Sequence, residues 1–209
     1  MKGLLLKDLT VLKPNLKLYA IIIAFYFLAF MSGDNIAILY SMVTVLAVTS
    51  PMTSLAYDER SKFDRLAATM PVTRKEIVIS KYVLFSILTV ASTTICLVLS
   101  SFNKNVSFEE NIATFFAVLS IGLLFQSVLL PTIYKFGLEK GRIVFFILIF
   151  VPTLVIILFS VLSARININP IPFIEEHGKL IAIGVIPTII LIYILSIITS
   201  IKIYTKKDL

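Results

Sequence analysis

Residues 82–103 read YVLFSILTVASTTICLVLSSFN, 22 positions without an Asp, Glu, Lys, Arg or His. A helix rises 1.5 Å per residue, so about 20 apolar residues cross the hydrocarbon core of a bilayer. Five more uncharged runs surround this one: Leu18–Gly33, Ile36–Tyr57, Asn111–Tyr134, Ile143–Ala164 and Leu180–Ile201. The first is 16 residues long and the others 22 to 24. Helices apolar on every face are solvated by lipid. The pattern therefore predicts an all-α integral membrane protein with six transmembrane helices. Composition agrees, with 58% hydrophobic and 15% charged residues, where soluble chains carry roughly 25% charged. The short first run reads as a span because Lys17 can snorkel from its end. The tetrad SGDN at Ser32–Asn35 then turns it into the second run as a hairpin. No small-x-small cleavage site follows the first run near Ser32, so it reads as a retained span and not a cleaved leader.

Basic residues fix the expected orientation. Alternating the loops places Lys2, Lys7, Lys13, Lys17, Arg60, Lys62, Arg65, Arg74, Lys75, Lys81, Lys135, Lys140, Arg142, Lys202, Lys206 and Lys207 on one side. That is 16 of the 19, with Lys104, Arg165 and Lys179 opposite. Positive-inside bias puts both termini and the second and fourth loops in the cytoplasm. The net charge of +7 is thus a topology signal, and its division among four segments argues against a nucleic-acid partner.

Outside the spans, residues 1–14 form an amphipathic unit in which Leu4, Leu5, Leu9 and Leu12 recur at helical spacing. Pro14 disfavours helix at Lys13 and separates this unit from span one. The expectation is an interfacial helix with its leucines in the acyl boundary and with Lys2, Lys7, Asp8 and Lys13 in the polar remainder. The segment 58–81 reads DERSKFDRLAATMPVTRKEIVISK. Ser61–Thr69 is expected to form a polar helix ending near Met70. After Pro71 and Val72, Thr73 and Glu76 make a capping box that opens a helix running into span three. Met70, Pro71 and Val72 form an apolar knuckle flanked by Arg74 and Lys75. Such a tip either meets a partner or serves as a stiff turn between spans.

Chemistry is sparse. No phosphate-cradling G-x-x-x-x-G-K-[ST] is present, and Gly137 and Gly141 lie in a short loop before Arg142. No H-E-x-x-H, G-x-S-x-G or intramembrane Asp is found, so the chain is not expected to be an enzyme. None of the six runs contains a carboxylate, which disfavours an ion-coupled secondary transporter. Cys96 reads as a small buried hydrophobe, and His177 as a solvated loop residue without a ligand set. The outer loop 165–179 contains Pro170 and Pro172, and with Phe173 and Ile174 it is a segment able to dip into the outer leaflet. Thr49, Ser50, Thr53, Ser54 and Tyr57 fall on one face of span two, and Gln126 is the one amide in any span. These residues either pack helices together or line a cavity for a partly polar cargo.

The stretch YDERSKFDRLAATMPVTRKEIVISKY at 57–82, together with the opening MKGLLLKDLTVLKPNLK, resembles small ABC-2-type ABC transporter permeases. Asp58, Glu59, Lys62, Phe63, Thr69, Met70, Pro71, Val72, Thr73, Arg74, Lys81 and Tyr82 fill the family's loop pattern, with Phe63 where many relatives have Trp. The chain is similar to permeases of bacteriocin export and immunity systems and of the staphylococcal phenol-soluble modulin exporter. This resemblance implies a multi-pass permease of a bacterial plasma membrane, paired with a second permease copy or paralogue. It also implies two separate ATPase subunits that bind ATP and Mg, with no cofactor held by this chain. Residues 70–76 would carry the coupling to the ATPase, with Arg74 and Lys75 meeting acids on its rim. Asp58, Glu59, Lys62, Phe63 and Lys81 would support the loop. The cargo implied is an amphipathic peptide or other hydrophobic substrate. A membrane immunity or sensor protein that sequesters a peptide is the alternative, and it would need no ATPase.

Overall fold

A computed structural model describes residues 2–31, 36–67, 69, 71–102, 107–166 and 171–206, without the side chains of 2, 16, 29–31, 36–38, 41–48, 64, 65, 164–166 and 171–183. The turn expected at 32–35, Met70, Lys104, and the side chains of Arg165, Phe173, Ile174, His177 and Lys179 lie outside the described residues. The elements are α1 (Lys2–Met31), α2 (Ile36–Arg60), α3 (Phe63–Ala67), α4 (Arg74–Ser100), α5 (Phe108–Phe136), α6 (Leu138–Ile166) and α7 (Ile171–Thr205). Among the described residues there is no strand.

Among the described residues, four helical segments are long and apolar enough to cross a membrane: Arg74–Ser100, Phe108–Phe136, Leu138–Ser163 and Gly184–Thr205. Gly3–Asn15 and Lys17–Leu28, bent by 53° where they meet, pass the same test only when taken together as one span. The expected second span coincides with α2, whose side chains at 41–48 are not described.

Three boundaries differ from expectation. Helix α1 continues through Lys13 and Pro14. The proline removes one backbone donor and crowds the preceding turn, which bends a helix without having to end it. Residues expected in the outer loop 165–179 are helical from Ile171 onward, and Pro172 occupies the first turn, where its missing N–H costs nothing. The polar helix expected over 61–69 is only the five residues of α3. Helix α2 runs on to Arg60, and Lys62 then takes a left-handed conformation (φ 51°) that ends it.

The main core gathers where the charged ends of the helices meet. It is built from Leu4 and Leu12 of α1, Leu55 of α2, Phe63 and Ala67 of α3, Val78, Tyr82 and Phe85 of α4, Leu129, Leu130 and Tyr134 of α5, and Tyr204 of α7. Cys96 is fully buried beside Leu39 and Tyr40 in a smaller cluster. Gly137 joins α5 to α6 at φ 84°, a conformation that favours glycine. At Gly141 the two helices come so close that a Cβ would overlap the Ile133 side chain. That close approach is the reason for a glycine in the first turns of α6.

Candidate functional site

Four charged side chains from three helices converge beneath the loop. Lys81 of α4 reaches Asp8 of α1 at 2.7 Å and Asp58 of α2 at 2.5 Å. Lys7 closes the set, 2.6 Å from Asp58 and 3.1 Å from Asp8. Ser54 of α2 accepts a hydrogen bond from Lys81 Nζ at 2.8 Å and donates one to Asp8 at 3.3 Å. Only 2% of the Lys81 side chain and 1% of the Asp8 side chain are exposed. Two ammonium groups and two carboxylates cancel in net charge. Removing one partner from such a buried set leaves an uncompensated charge and costs about 3–5 kcal/mol.

Lys7 also ties the cluster to α3. Its Nζ lies 3.4 Å from the centroid of the buried Phe63 ring, a cation–π contact. The segment carrying Phe63 is therefore held to α1, while Asp58 and Lys81 hold both of its ends.

The sequence pattern places Lys7 and Asp8 on the solvated side of an interfacial helix, and the structure corrects this, with Asp8 buried and Lys7 drawn into the same cluster. Leu4, Asp8 and Leu12 share one face at i, i+4 and i+8, and that face is buried in the bundle. Leu6 and Leu9 are exposed instead. A carboxylate midway between two buried leucines was the signal in the sequence.

The loop's capping box is present. Thr73 N–H donates to Glu76 Oε2 at 2.9 Å, and Glu76 N–H donates to Thr73 Oγ1 at 3.3 Å. Arg74 donates from Nη1 to the Thr205 carbonyl at the end of α7 (2.8 Å), at the protein surface. It thereby meets one of the orphan carbonyls of that helix, a use that the outward pairing with a partner's acids did not anticipate. Pro71, Lys75, Lys62 and Glu59 are exposed, while Val72 is half-buried against the core.

The hydroxyl face expected on span two divides. Ser50 and Ser54 are buried, the latter in the ion cluster. Thr49, Thr53 and Tyr57 line a groove of about 340 Å³ with Met52, Ala56, Arg60 and Arg142. A second cavity, of about 110 Å³, is lined by Asp58, Glu59, Phe63, Lys81, Tyr134 and Tyr204 among others. A cavity of this size, with Asp58, Glu59 and Lys81 in its wall, has room for several waters. Among the described residues the buried Tyr134 hydroxyl and Asp8 Oδ2 have no hydrogen-bond partner.

Gln126 lines neither space. It is fully buried, donating from Nε2 to the Phe85 carbonyl (3.1 Å) and Thr89 Oγ1 (2.5 Å), while Oε1 accepts from the Tyr193 hydroxyl at 3.5 Å. It joins α4, α5 and α7. Tyr82 extends the same seam through Ser196 (2.6 Å) and Ser200 (2.8 Å) of α7. Among the described residues no three His, Cys, Asp or Glu side chains are grouped so as to hold a metal ion.

A family model described as "ABC-2 family transporter protein" matches residues 3–205. No curated protein and no solved structure matches the chain.

Proposed function

This chain belongs to the ABC-2 transporter family, and on that premise we propose that it is the six-span permease of an ATP-driven exporter in a bacterial plasma membrane. Both termini and the segment 58–81 lie in the cytoplasm. Two copies of a separate ATPase bind ATP and Mg, and a second permease copy or paralogue completes the pathway. The cargo is an amphipathic, toxic peptide or a similarly hydrophobic molecule, the class carried by the permeases that the loop motif resembles.

One observation supports this reading most. The exposed tip at Pro71 is bounded on both sides by anchored residues, the half-buried Asp58 and the buried Phe63 before it and the buried Lys81 after it. A push on the tip is resisted by the ion cluster and passed to α1, α2 and α4 together. Closure of the ATPase dimer would move these helices as a unit. Arg74 carries the same push to α7 through Thr205.

The test uses the exposed Pro71 and Lys75, leaving the anchors intact. Pro71→Asp combined with Lys75→Glu should lower co-purification of the ATPase with a tagged chain by about tenfold. The same change should abolish export without altering the folded yield. Undiminished ATPase capture together with undiminished export contradicts the reading, and a chain that purifies alone from its native host while still conferring immunity establishes sequestration in its place.

A further inference from the structure

The groove between α2 and α6 differs from the ion cluster in being left positive. Arg60 ends α2, Arg142 lies in the second turn of α6, and both line the same space of about 340 Å³. Among the described residues neither joins an ion pair, whereas Lys7 and Lys81 are both neutralised. Glu59, the acid next to Arg60 in sequence, lines the other cavity. Thr49, Thr53 and Tyr57 add three hydroxyl groups, and Met52 and Ala56 supply apolar wall. The Thr53 hydroxyl already donates to the Thr49 carbonyl, so the two guanidinium groups are what suit this groove to a phosphate ester, which guanidinium can grip in bidentate fashion.

The surroundings select the source of that phosphate. From Arg142 the same face of α6 continues with Phe146 and Phe150, four and eight residues on, both exposed and stacked on each other. A basic head at the charged end of the bundle, continued by an apolar track along a bare helix, matches an amphiphile lying in one leaflet. We propose that this groove binds the headgroup phosphate of an anionic phospholipid, whose acyl chains run along Phe146 and Phe150. Basic pockets between helices on the cytoplasmic side are suited to anionic headgroups. The inference needs only that the helices cross a membrane, and it stands or falls separately from transport.

The experiment is retention of phosphatidylglycerol by the detergent-purified full chain, with phosphatidylcholine as comparator, counted by native mass spectrometry. The wild-type chain retains phosphatidylglycerol over phosphatidylcholine. R60Q/R142Q loses that retention by about tenfold or more, as expected for two charged hydrogen-bonding partners. R60K/R142K keeps the charge without the planar fork and falls between them. K140Q removes an exposed charge outside the groove and leaves retention unchanged. If the double glutamine variant fails to fold, R60Q and R142Q are read singly, each with a loss of roughly threefold. Full retention in the folded glutamine variants, or an equal loss in K140Q, overturns the site. Displacement of the lipid by excess inorganic phosphate overturns the lipid assignment in favour of a free anion.

Discussion

Helices α4 and α6 have nearly the same length, 27 and 29 residues, yet a third of the apolar window of α4 is buried and none of that of α6. The more apolar of the two is the bare one, with mean hydropathy 3.0 against 2.2. In water the order would be reversed. Lipid removes the hydrophobic drive between helices and leaves packing and side-chain hydrogen bonds to hold them together. Helix α4 supplies these through Lys81, Tyr82, Ser86 and Thr89, each bonded to another helix. The hydroxyls of Thr153, Ser160 and Ser163 on α6 bond only to their own helix backbone. Polar residues thus mark the helices that pack, and purely apolar ones the surface left to lipid or to a second chain.

The comparison breaks most severely at Lys81. Lys81→Met leaves Asp8 and Asp58 to share Lys7 alone, one buried carboxylate in excess, and should lower stability by about 3–5 kcal/mol, visible as a collapse of folded yield in detergent. Next is Gly141→Ala, at the close approach of α6 to α5. The added methyl meets Ile133, and a loss of about 1–3 kcal/mol is expected, with part of it recovered by Ile133→Val. Thr73→Ala removes the cap of α4 at a cost of about 1 kcal/mol, read as a modest fall in Tm. At the other extreme, Phe150→Leu on the bare face of α6 should leave Tm unchanged. A shift as large as that of Thr73→Ala would show that α6 is packed after all.

Much of this fold is legible in the sequence, and the reason is physical. Uncharged runs of helix-spanning length locate α4, α5, α6 and the C-terminal part of α7, since lipid tolerates little else there. Thr73 and Glu76 announce the start of α4 because a capping box depends only on local spacing. Boundaries set by tertiary packing are less visible. Pro14 bends α1 without ending it, and Lys62 ends α2 three residues past the apolar run, with no glycine to signal it. The ion cluster is half legible. Asp58, Phe63 and Lys81 stand out through the loop motif, but Lys7 and Asp8 are separated from them by more than a full span. Their role depends on how a bent α1 folds back along α2 and α4. Gln126 could not be decided from sequence, since an amide in a span fits either helix packing or a wet cavity until its partners Thr89 and Tyr193 are seen.

The central claim is that a neutral, buried ion cluster fastens the segment 58–81 to α1 and α4. A double-mutant cycle between Asp8 and Lys81, using Asp8→Asn and Lys81→Met with stability as the readout, tests it most directly. The account predicts strong non-additivity of about 1–3 kcal/mol, with the double variant more stable than Lys81→Met alone. Independent effects that simply add would contradict it.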